Sequence, residues 1–517
     1  MEQVFCLAPI FSDGAVLQRR EPIQIFGCGE EGAAVEVRLS STEQPCRTVV
    51  RDGAWRVSLP PLEAAEGLTL TASSRGQTIL VRDVAVGEVW IAGGQSNMEF
   101  WLRNEAERDT VIPAADDGLL RFFDMPRISY EGQQRDLSFA EYGVWRRFTP
   151  EHAGWFSAVG AYFGMALRRA LGVPVAVVGC NCGATSASCW ISEEYLEEIP
   201  ALRVYRESYE RALETLDLAQ YERDFKERQA WGQTPRMIEF DRKMARGELQ
   251  AETLQDIAGQ LGAQLTQRQW QLLALPVGPM APTRPCALYH SMVERLAPYT
   301  ARGVIWYQGE SDADRAEHYA ALFGQVVRCW RSLWGRELPF LTLQLAPFGR
   351  WLNDNGAMFP ALREQQEIVC REVPGVWMAS IMDAGMEKDI HPKNKRIPGE
   401  RLALLARGKV YGEDLLCEPP ALEQADWEGD TVRLTFANAR GLQTKGDFPQ
   451  ELEVLLDGEK AECSVSVENE RMAICCGRLK AACEVEIRYA WQPYVCAGLY
   501  NSAGLCAKPF RIRLKHA

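Results

Sequence analysis

The pattern of hydrophobic and polar positions divides the chain into three regions. In residues 1–85, hydrophobic and polar residues alternate in short segments that glycine and proline separate, which predicts strands joined by turns. Residues 86–412 combine hydrophobic runs of strand length with segments of helical periodicity, such as Ala158–Leu171 followed by Gly172. Residues 413–517 return to alternation. We therefore predict an α/β domain between two regions that resemble β-sandwiches.

The order of strands and helices in the central region predicts a parallel sheet with helices on its faces. The predicted strands lie at 86–92, 173–178, 303–308, 338–345 and 376–382. Between about 193 and 280 the chain is rich in charge and helical in pattern, with no strand visible. We interpret this stretch as a helical insertion that either shapes a substrate cleft or covers the domain surface.

Composition excludes several classes of function. The formal net charge is −13 over 517 residues and no basic run is present, which argues against a nucleic-acid partner. No apolar stretch is long enough to span a bilayer, and the N-terminus has no secretory pattern. The 16 cysteines lack metal-ligand spacing, so we expect reduced thiols in a cytoplasmic protein. The oligomeric state stays open.

The segment around Ser96 is the first candidate for chemistry. A buried strand ends in Gly93 and Gly94, and residues 97–104 are compatible with a helix. A serine at this turn would expose its hydroxyl and place its own N–H near a developing oxyanion. An ordinary N-cap serine would have the same surroundings, so both interpretations remain.

A nucleophilic serine needs a base, and the chain has only five histidines. His391 follows the last predicted strand, where reactive groups gather in open parallel sheets, and Pro392 restricts it to extended backbone. Asp389 and Asp383 lie close in sequence, and either could orient the imidazole. A polar loop that contains a histidine by chance is the alternative.

Two further segments follow predicted strands. The side chain of Gln308 could donate a hydrogen bond to an oxyanion, and Glu310 could contact substrate or support the site. Helix capping is the alternative explanation for the acidic residues of this turn. Gly183 lies after the strand at 173–178, where its N–H could be a second oxyanion donor. With Ser96 and His391, four strand ends then offer the groups that acyl transfer requires.

These motifs resemble those of the sialate O-acetylesterase family, within the SGNH (GDSL-like) hydrolase superfamily. The similar blocks are 94–99 (GQSNME), 306–312 (WYQGESD) and 389–392 (DIHP) with Lys395. Similar residues near both ends, including 16–19 (VLQR) and 488–491 (RYAW), extend the resemblance to nearly the whole chain except the helical insertion.

The resemblance implies a three-layer α/β/α esterase domain that hydrolyses O-acetyl groups on sugars without a cofactor or metal. By the same resemblance, Ser96 is the nucleophile and His391 is the base. The oxyanion would be held by the N–H groups of Ser96 and Gly183 and by the side chain of Gln308.

Some positions depart from the family pattern. The superfamily often has its acid three residues before the histidine, where this chain has Lys388. The acid is therefore Asp389, with Asp383 or a Ser–His dyad without an acid as alternatives. Gly183 is followed by Ala184, where relatives often have a second glycine. His290 stands where relatives tend to have asparagine, which suggests a substrate contact.

We therefore predict a carbohydrate O-acetylesterase similar to sialate 9-O-acetylesterases, with an acetyl-enzyme intermediate. Gln95, Glu310 and His290 are further candidates for substrate binding. Acetylated xylan or mannan oligosaccharides are alternative substrates. A carbohydrate-binding protein without catalysis is the alternative from another class.

Overall fold

The computed structural model describes residues 4–130, 132–133, 142–249, 256, 259, 265–352, 354–446, 448 and 450–515. The chain forms two compact units. The first comprises residues 1–237, 267–308 and 321–340, and the second comprises 238–266, 309–320 and 341–517.

In the first unit, the segment before residue 85 is built of short strands, as the alternating pattern predicts. Strand Ala54–Leu59 shows the reason, because every second side chain is buried. The strands are Cys6–Leu7, Val16–Gln18, Ile23–Cys28, Ala34–Leu39, Cys46–Val49, Ala54–Leu59 and Ala65–Ser74. The next strand, Gln77–Gly94, continues across residue 85 into the α/β part of the sheet.

The α/β part of the first unit is built on parallel strands. Strand Gln77–Gly94 pairs in parallel with Val175–Asn181 and with Gly303–Tyr307. Asp117–Asp124 lies parallel on the other side of Val175–Asn181, and Trp145–Phe148 is antiparallel at the edge. These strands are buried along much of their length, which explains their continuous hydrophobic sequences.

Helix Ala158–Leu171 has the bounds that its sequence pattern predicts. The Ser157 hydroxyl accepts the Gly160 N–H at 3.1 Å, and Gly172 ends the helix with φ +67°. The other α-helices that lie wholly or partly in this unit are Ser96–Glu99, Arg108–Val111, Glu193–Glu198, Arg203–Glu214, Leu218–Gly232, Pro235–Ala245, Gln267–Leu273, Glu294–Leu296 and Tyr319–Trp334. The described residues of the insertion are thus mostly helical.

The second unit contains the end of the α/β region and the C-terminal β region. Helices Phe359–Glu372 and Arg396–Lys409 precede two four-stranded antiparallel sheets. A common hydrophobic core includes Val432, Leu434 and Ile487, which alternate with more exposed residues along their strands. The strands are Phe340–Leu343 from Leu341 onward, Val376–Ala379, Ala421–Glu428, Thr431–Ala437, Gln443–Thr444, Leu452–Leu456, Glu459–Lys460, Ser464–Glu468, Arg471–Cys475, Glu484–Tyr489, Leu499–Tyr500 and Phe510–Lys515.

Two predicted helices differ from the observed ones. The helix expected over 97–104 ends at Glu99, because the Phe100 carbonyl accepts the Ala158 N–H at 2.7 Å. This pairing draws the chain into an extended conformation. The helical periodicity of residues 312–334 in the sequence predicts one continuous helix, but the segment begins as a 3₁₀ turn, Glu310–His318, and becomes α-helical only at Tyr319–Trp334. Arg315 has φ −130° and ψ 39°, which interrupts the regular helix.

The expectation that all cysteines are reduced is wrong for one pair. Cys6 and Cys28 form a disulfide between two paired strands. The other 14 cysteines are free thiols. The cytoplasmic location stays a prediction. Across the described part of the chain, no helix is long and apolar enough to cross a membrane, and no group of three or more potential ligand side chains is arranged around a metal position.

Candidate active site

The carboxyl ends of three strands lie side by side in the first unit. Gly94 is paired with Asn181 on one side and with Tyr307 on the other, and both pairings are parallel. The segments that follow these residues therefore leave the sheet at the same edge, where open parallel sheets place their functional groups. Four of the predicted site residues, Gln95, Ser96, Gly183 and Gln308, lie within two residues of these positions.

Ser96 follows a turn that only glycine permits. Gly94 has φ +132°, and a Cβ atom at this position would lie 2.1 Å from the carbonyl oxygen of Tyr307. Gln95 occupies the cap position of helix Ser96–Glu99, and its carbonyl accepts the N–H groups of Met98 and Glu99, both at 2.9 Å. Ser96 is the first helical residue, so its interpretation as an N-cap is wrong.

Gly183 lies beside Ser96. A Cβ atom on Gly183 would lie 3.5 Å from the Ser96 Cβ and 3.3 Å from Oε2 of Glu99. The Gly183 N–H donates to that Glu99 oxygen at 2.6 Å. The predicted oxyanion donor thus has a carboxylate acceptor in this structure, and an oxyanion that uses this N–H has to displace Glu99. Ala184 adopts φ +61°, a left-handed conformation that glycine adopts with less strain.

Gln308 connects the three strand ends through its amide. The side chain is fully buried, and its Nε2 donates to Oε1 of Gln95 and to the carbonyl oxygen of Thr185, each at 3.2 Å. Gln95, Thr185 and Gln308 follow the three different strands. The structure therefore brings four predicted residues together: Ser96, Gln95, Gly183 and Gln308.

In the second unit, Asp389 contacts His391. Asp389 Oδ1 accepts the His391 backbone N–H at 2.8 Å and lies 3.6 Å from Nδ1 of the ring. The edge of the His391 ring packs against Trp351, with ring centroids 5.2 Å apart. Burial lowers the pKa of His391, although Asp389 opposes that effect. A neutral imidazole at neutral pH is the form that accepts a proton.

The pKa of Asp389 is lowered despite burial, because hydrogen bonding to His391 and the charge of Lys393 favour the carboxylate. Asp383 has different partners. Its two oxygens bind the Arg401 guanidinium at 2.6 and 2.7 Å, and the Tyr500 hydroxyl donates to Oδ2 at 3.2 Å. These contacts favour Asp389 over Asp383 as the acid that orients His391.

The two remaining candidates are Glu310 and His290. Glu310 is half-buried and begins the 3₁₀ turn Glu310–His318. His290 is exposed and lies between two carboxylates of the first unit, with Nε2 2.8 Å from Glu193 and Nδ1 2.9 Å from Glu294. Burial lowers the pKa of His290, but the two carboxylates raise it further and determine the direction. Substrate binding by Glu310 and His290 stays a prediction.

Comparison with known proteins finds similarity to carbohydrate esterases. The family model described as carbohydrate esterase, sialic acid-specific acetylesterase, matches residues 279–403, which include Gln308 and His391. The sialate O-acetylesterases of Rattus norvegicus and Homo sapiens are 24% and 25% identical to this chain. Their alignments cover 98% of the chain and 94% and 92% of the relatives.

A solved structure is similar over the same length. The carbohydrate acetylesterase XAC1771 from Xanthomonas citri is 29% identical, has a TM-score of 0.74, and is matched over 98% of this chain and 99% of its own. The resemblance to the sialate O-acetylesterase family is confirmed. The prediction of an ester hydrolase similar to sialate O-acetylesterases is also confirmed, as is the mixed α/β class.

Sequence reasoning missed a charged cluster around Glu99, which lies three residues after Ser96. Arg127 lies 3.5 Å from Glu99 and 3.3 Å from Asp124, and it donates to the carbonyl oxygen of Asn181 at 3.1 Å. Burial raises the pKa of Asp124 to about 6, although Arg127 opposes this shift. Burial disfavours the charge on Arg127, but the two carboxylates raise its pKa.

One signal could have revealed part of this cluster. Asp124 ends the hydrophobic strand Asp117–Asp124, so it lies at the same edge of the sheet as the other strand ends. Glu99 belongs to the motif around Ser96, but the sequence does not indicate that its carboxylate contacts Gly183.

Proposed function

We propose that this chain is a carbohydrate O-acetylesterase that hydrolyses acetyl esters on sugars through a serine nucleophile. The observation that carries the proposal is the register of the three parallel strands, which brings Ser96 beside Gly183 and joins the Gln308 amide to Gln95, the residue before Ser96. The His391–Asp389 contact supports it independently. The proposed architecture is the three-layer α/β/α arrangement of SGNH hydrolases, which the parallel pairings support.

The proposed reaction has two steps. His391 accepts the proton of the Ser96 hydroxyl as Oγ attacks the acetyl carbonyl, and the carbonyl becomes a tetrahedral oxyanion. His391 then gives that proton to the sugar oxygen as its bond to the acetyl carbon breaks. The sugar leaves as an alcohol, and the acetyl group remains on Ser96 as the acetyl-enzyme. Water attacks this ester with His391 again as the base, and acetate and free Ser96 are produced.

The oxyanion would be stabilised by the N–H groups of Ser96 and Gly183 and by Gln308. The Gly183 N–H and the Gln308 amide both have acceptors in this structure, namely Glu99 for the N–H and Gln95 and Thr185 for the amide. The developing negative charge has to replace some of these contacts. A hydrogen bond to a charged acceptor is stronger than one to a neutral acceptor. Replacement of these contacts is therefore more favourable for the oxyanion than for the carbonyl oxygen of the neutral ester.

For the acid we propose Asp389, which orients His391 and stabilises its protonated form. The lowered pKa of Asp389 supports this role, because the carboxylate remains charged at neutral pH. The bidentate pairing of Asp383 with Arg401 makes that residue the weaker candidate.

The test is acetate release by the wild type and by Ser96→Ala. The substrates are O-acetylated sialic acids, acetylated xylo- and manno-oligosaccharides, and an aryl acetate. Exposed Ser41 provides the control variant Ser41→Ala. We expect release by the wild type and the control, and loss in Ser96→Ala. The preferred substrate would identify the sugar.

A fluorophosphonate probe separates this proposal from a carbohydrate-binding protein without catalysis. Labelling that disappears in Ser96→Ala supports the esterase. A folded wild-type protein that neither reacts with the probe nor releases acetate from any substrate would contradict the proposal.

A further inference from the structure

Lys393 connects the His391 loop (residues 380–395) to the helical insertion, at the last turn of helix Pro235–Ala245. Both segments belong to the second unit. The Lys393 ammonium lies 2.8 Å from Oδ2 of Asp389 and donates to the carbonyl oxygen of Met244 at 3.4 Å. The side chains of Lys393 and Asp389 are 12% and 14% exposed, so the ion pair is largely shielded from water.

The two oxygens of Asp389 have separate partners. Oδ1 faces His391, with the backbone N–H at 2.8 Å and Nδ1 at 3.6 Å, while Oδ2 faces Lys393. A carboxylate that is held at both oxygens cannot rotate without losing one of these contacts. Lys393 therefore fixes the orientation in which Asp389 meets the imidazole.

The insertion holds Lys393 from the other side. Met244 lies in the last turn of helix Pro235–Ala245, where the helix dipole favours a cation, and its carbonyl oxygen also accepts the Gly247 N–H at 3.0 Å. Gly247 turns the chain with φ +71°, and a Cβ atom there would lie 3.2 Å from Cε of Lys393. The turn after the helix thus packs directly on the lysine side chain.

We propose that Lys393 is a positioning residue that holds Asp389 against His391, and that the segment of the helical insertion around Met244 and Gly247 holds Lys393 in turn. The inference rests on the proposed function, because it requires that His391 acts as the base. It assigns the insertion a part in arranging the catalytic groups.

The charges around His391 influence its pKa, which the pH dependence of kcat/KM reports. Asp389, Lys393 and Lys395 are the charged groups that act on its ring, and Trp351 contacts the ring from the neighbouring segment. Burial lowers the pKa of His391, Asp389 raises it, and both lysines lower it. Removal of the Lys393 charge should therefore raise the pKa of His391.

The first experiment compares kcat/KM against pH for the wild type, Lys393→Met and Lys393→Arg with an aryl acetate. For Lys393→Met we expect a fall on the order of 10- to 100-fold, the effect of small misplacements of catalytic groups. The acid limb of its pH profile, where kcat/KM falls as the pH drops, should also move to higher pH. Lys393→Arg keeps the charge and should restore both values in large part. A folded Lys393→Met with both the kcat/KM and the acid limb of the wild type would overturn the proposal.

The second experiment tests the insertion without changing a charge. Gly247→Ala introduces a methyl group against Lys393, and Gly412→Ala is the matched control, because Gly412 has φ +73° and no atom within 4 Å of the added Cβ. Both changes strain the backbone equally. We expect a several-fold lower kcat/KM and a moved acid limb only in Gly247→Ala.

Identical pH profiles for Gly247→Ala and Gly412→Ala would overturn the role of the insertion. These outcomes are separate from the proposed function, which fails if Ser96→Ala retains full activity.

Discussion

The Gln308 amide offers the sharpest test of the site. In Gln308→Leu, the side chain keeps a similar size but loses both donors. The change removes the proposed oxyanion contact, and it also removes the bonds to Gln95 and to the Thr185 carbonyl. Because Gln308 is fully buried, water does not readily replace these two bonds.

Two magnitudes follow. Loss of one oxyanion donor costs about 10²- to 10³-fold in kcat, or about 2.7–4 kcal/mol. Each buried acceptor that loses its donor costs about 1–3 kcal/mol, so the two acceptors together reduce the free energy of unfolding by roughly 2–6 kcal/mol. The kinetic loss and the stability loss have different causes, and a control can separate them.

Gln366→Leu is that control. Gln366 is also buried, accepts the Leu345 N–H at 2.9 Å and donates to the Leu343 carbonyl at 3.2 Å. It has no role in the proposed reaction. Urea denaturation should show a comparable destabilisation in both variants, whereas acetate release should fall only in Gln308→Leu. Equal kcat values in two folded variants would refute the oxyanion role of Gln308.

Three other variants test the remaining groups. In the wild type, kcat/KM should fall only as pH drops through a His391 pKa below its ordinary value of 6.5. Asp389→Asn removes the charge that raises this pKa, so the acid limb should move lower while kcat falls on the order of 10²- to 10⁴-fold in the pH–rate profile. Asp383→Asn leaves Arg401 without its carboxylate and should cost about 3–5 kcal/mol in urea denaturation, with the acid limb unchanged. The lowered pKa of Asp383 means that its stabilisation is present at neutral pH and is lost on acidification, so the difference from wild type should shrink at low pH. Ala184→Gly removes the strain of φ +61° and should raise the free energy of unfolding by up to about 1–2 kcal/mol, and a lower value would contradict the strain argument.

Predictions from the sequence were correct for features that depend on residues close together in the chain. Helix Ala158–Leu171 was predicted with its correct end, because the periodicity and Gly172 act over a few residues. The change of direction before Ser96 was likewise evident, but it occurs at Gly94, and Gly93 still belongs to the strand. Helix 97–104 was overpredicted, because the contact of Phe100 with Ala158 that ends it joins residues 58 positions apart.

The sequence alone determined the α/β class, the strand that leads to Ser96, and the motifs that resemble sialate O-acetylesterases. These depend on hydrophobic periodicity and on residue identity at short spacing, which a single chain displays directly. Only the tertiary structure decided which acceptors face Gly183 and Gln308, and which of two nearby aspartates is paired with Arg401. The physical reason is that a hydrogen bond or an ion pair depends on distances of about 3 Å between atoms. Strand register and loop packing set those distances, and sequence spacing does not contain them.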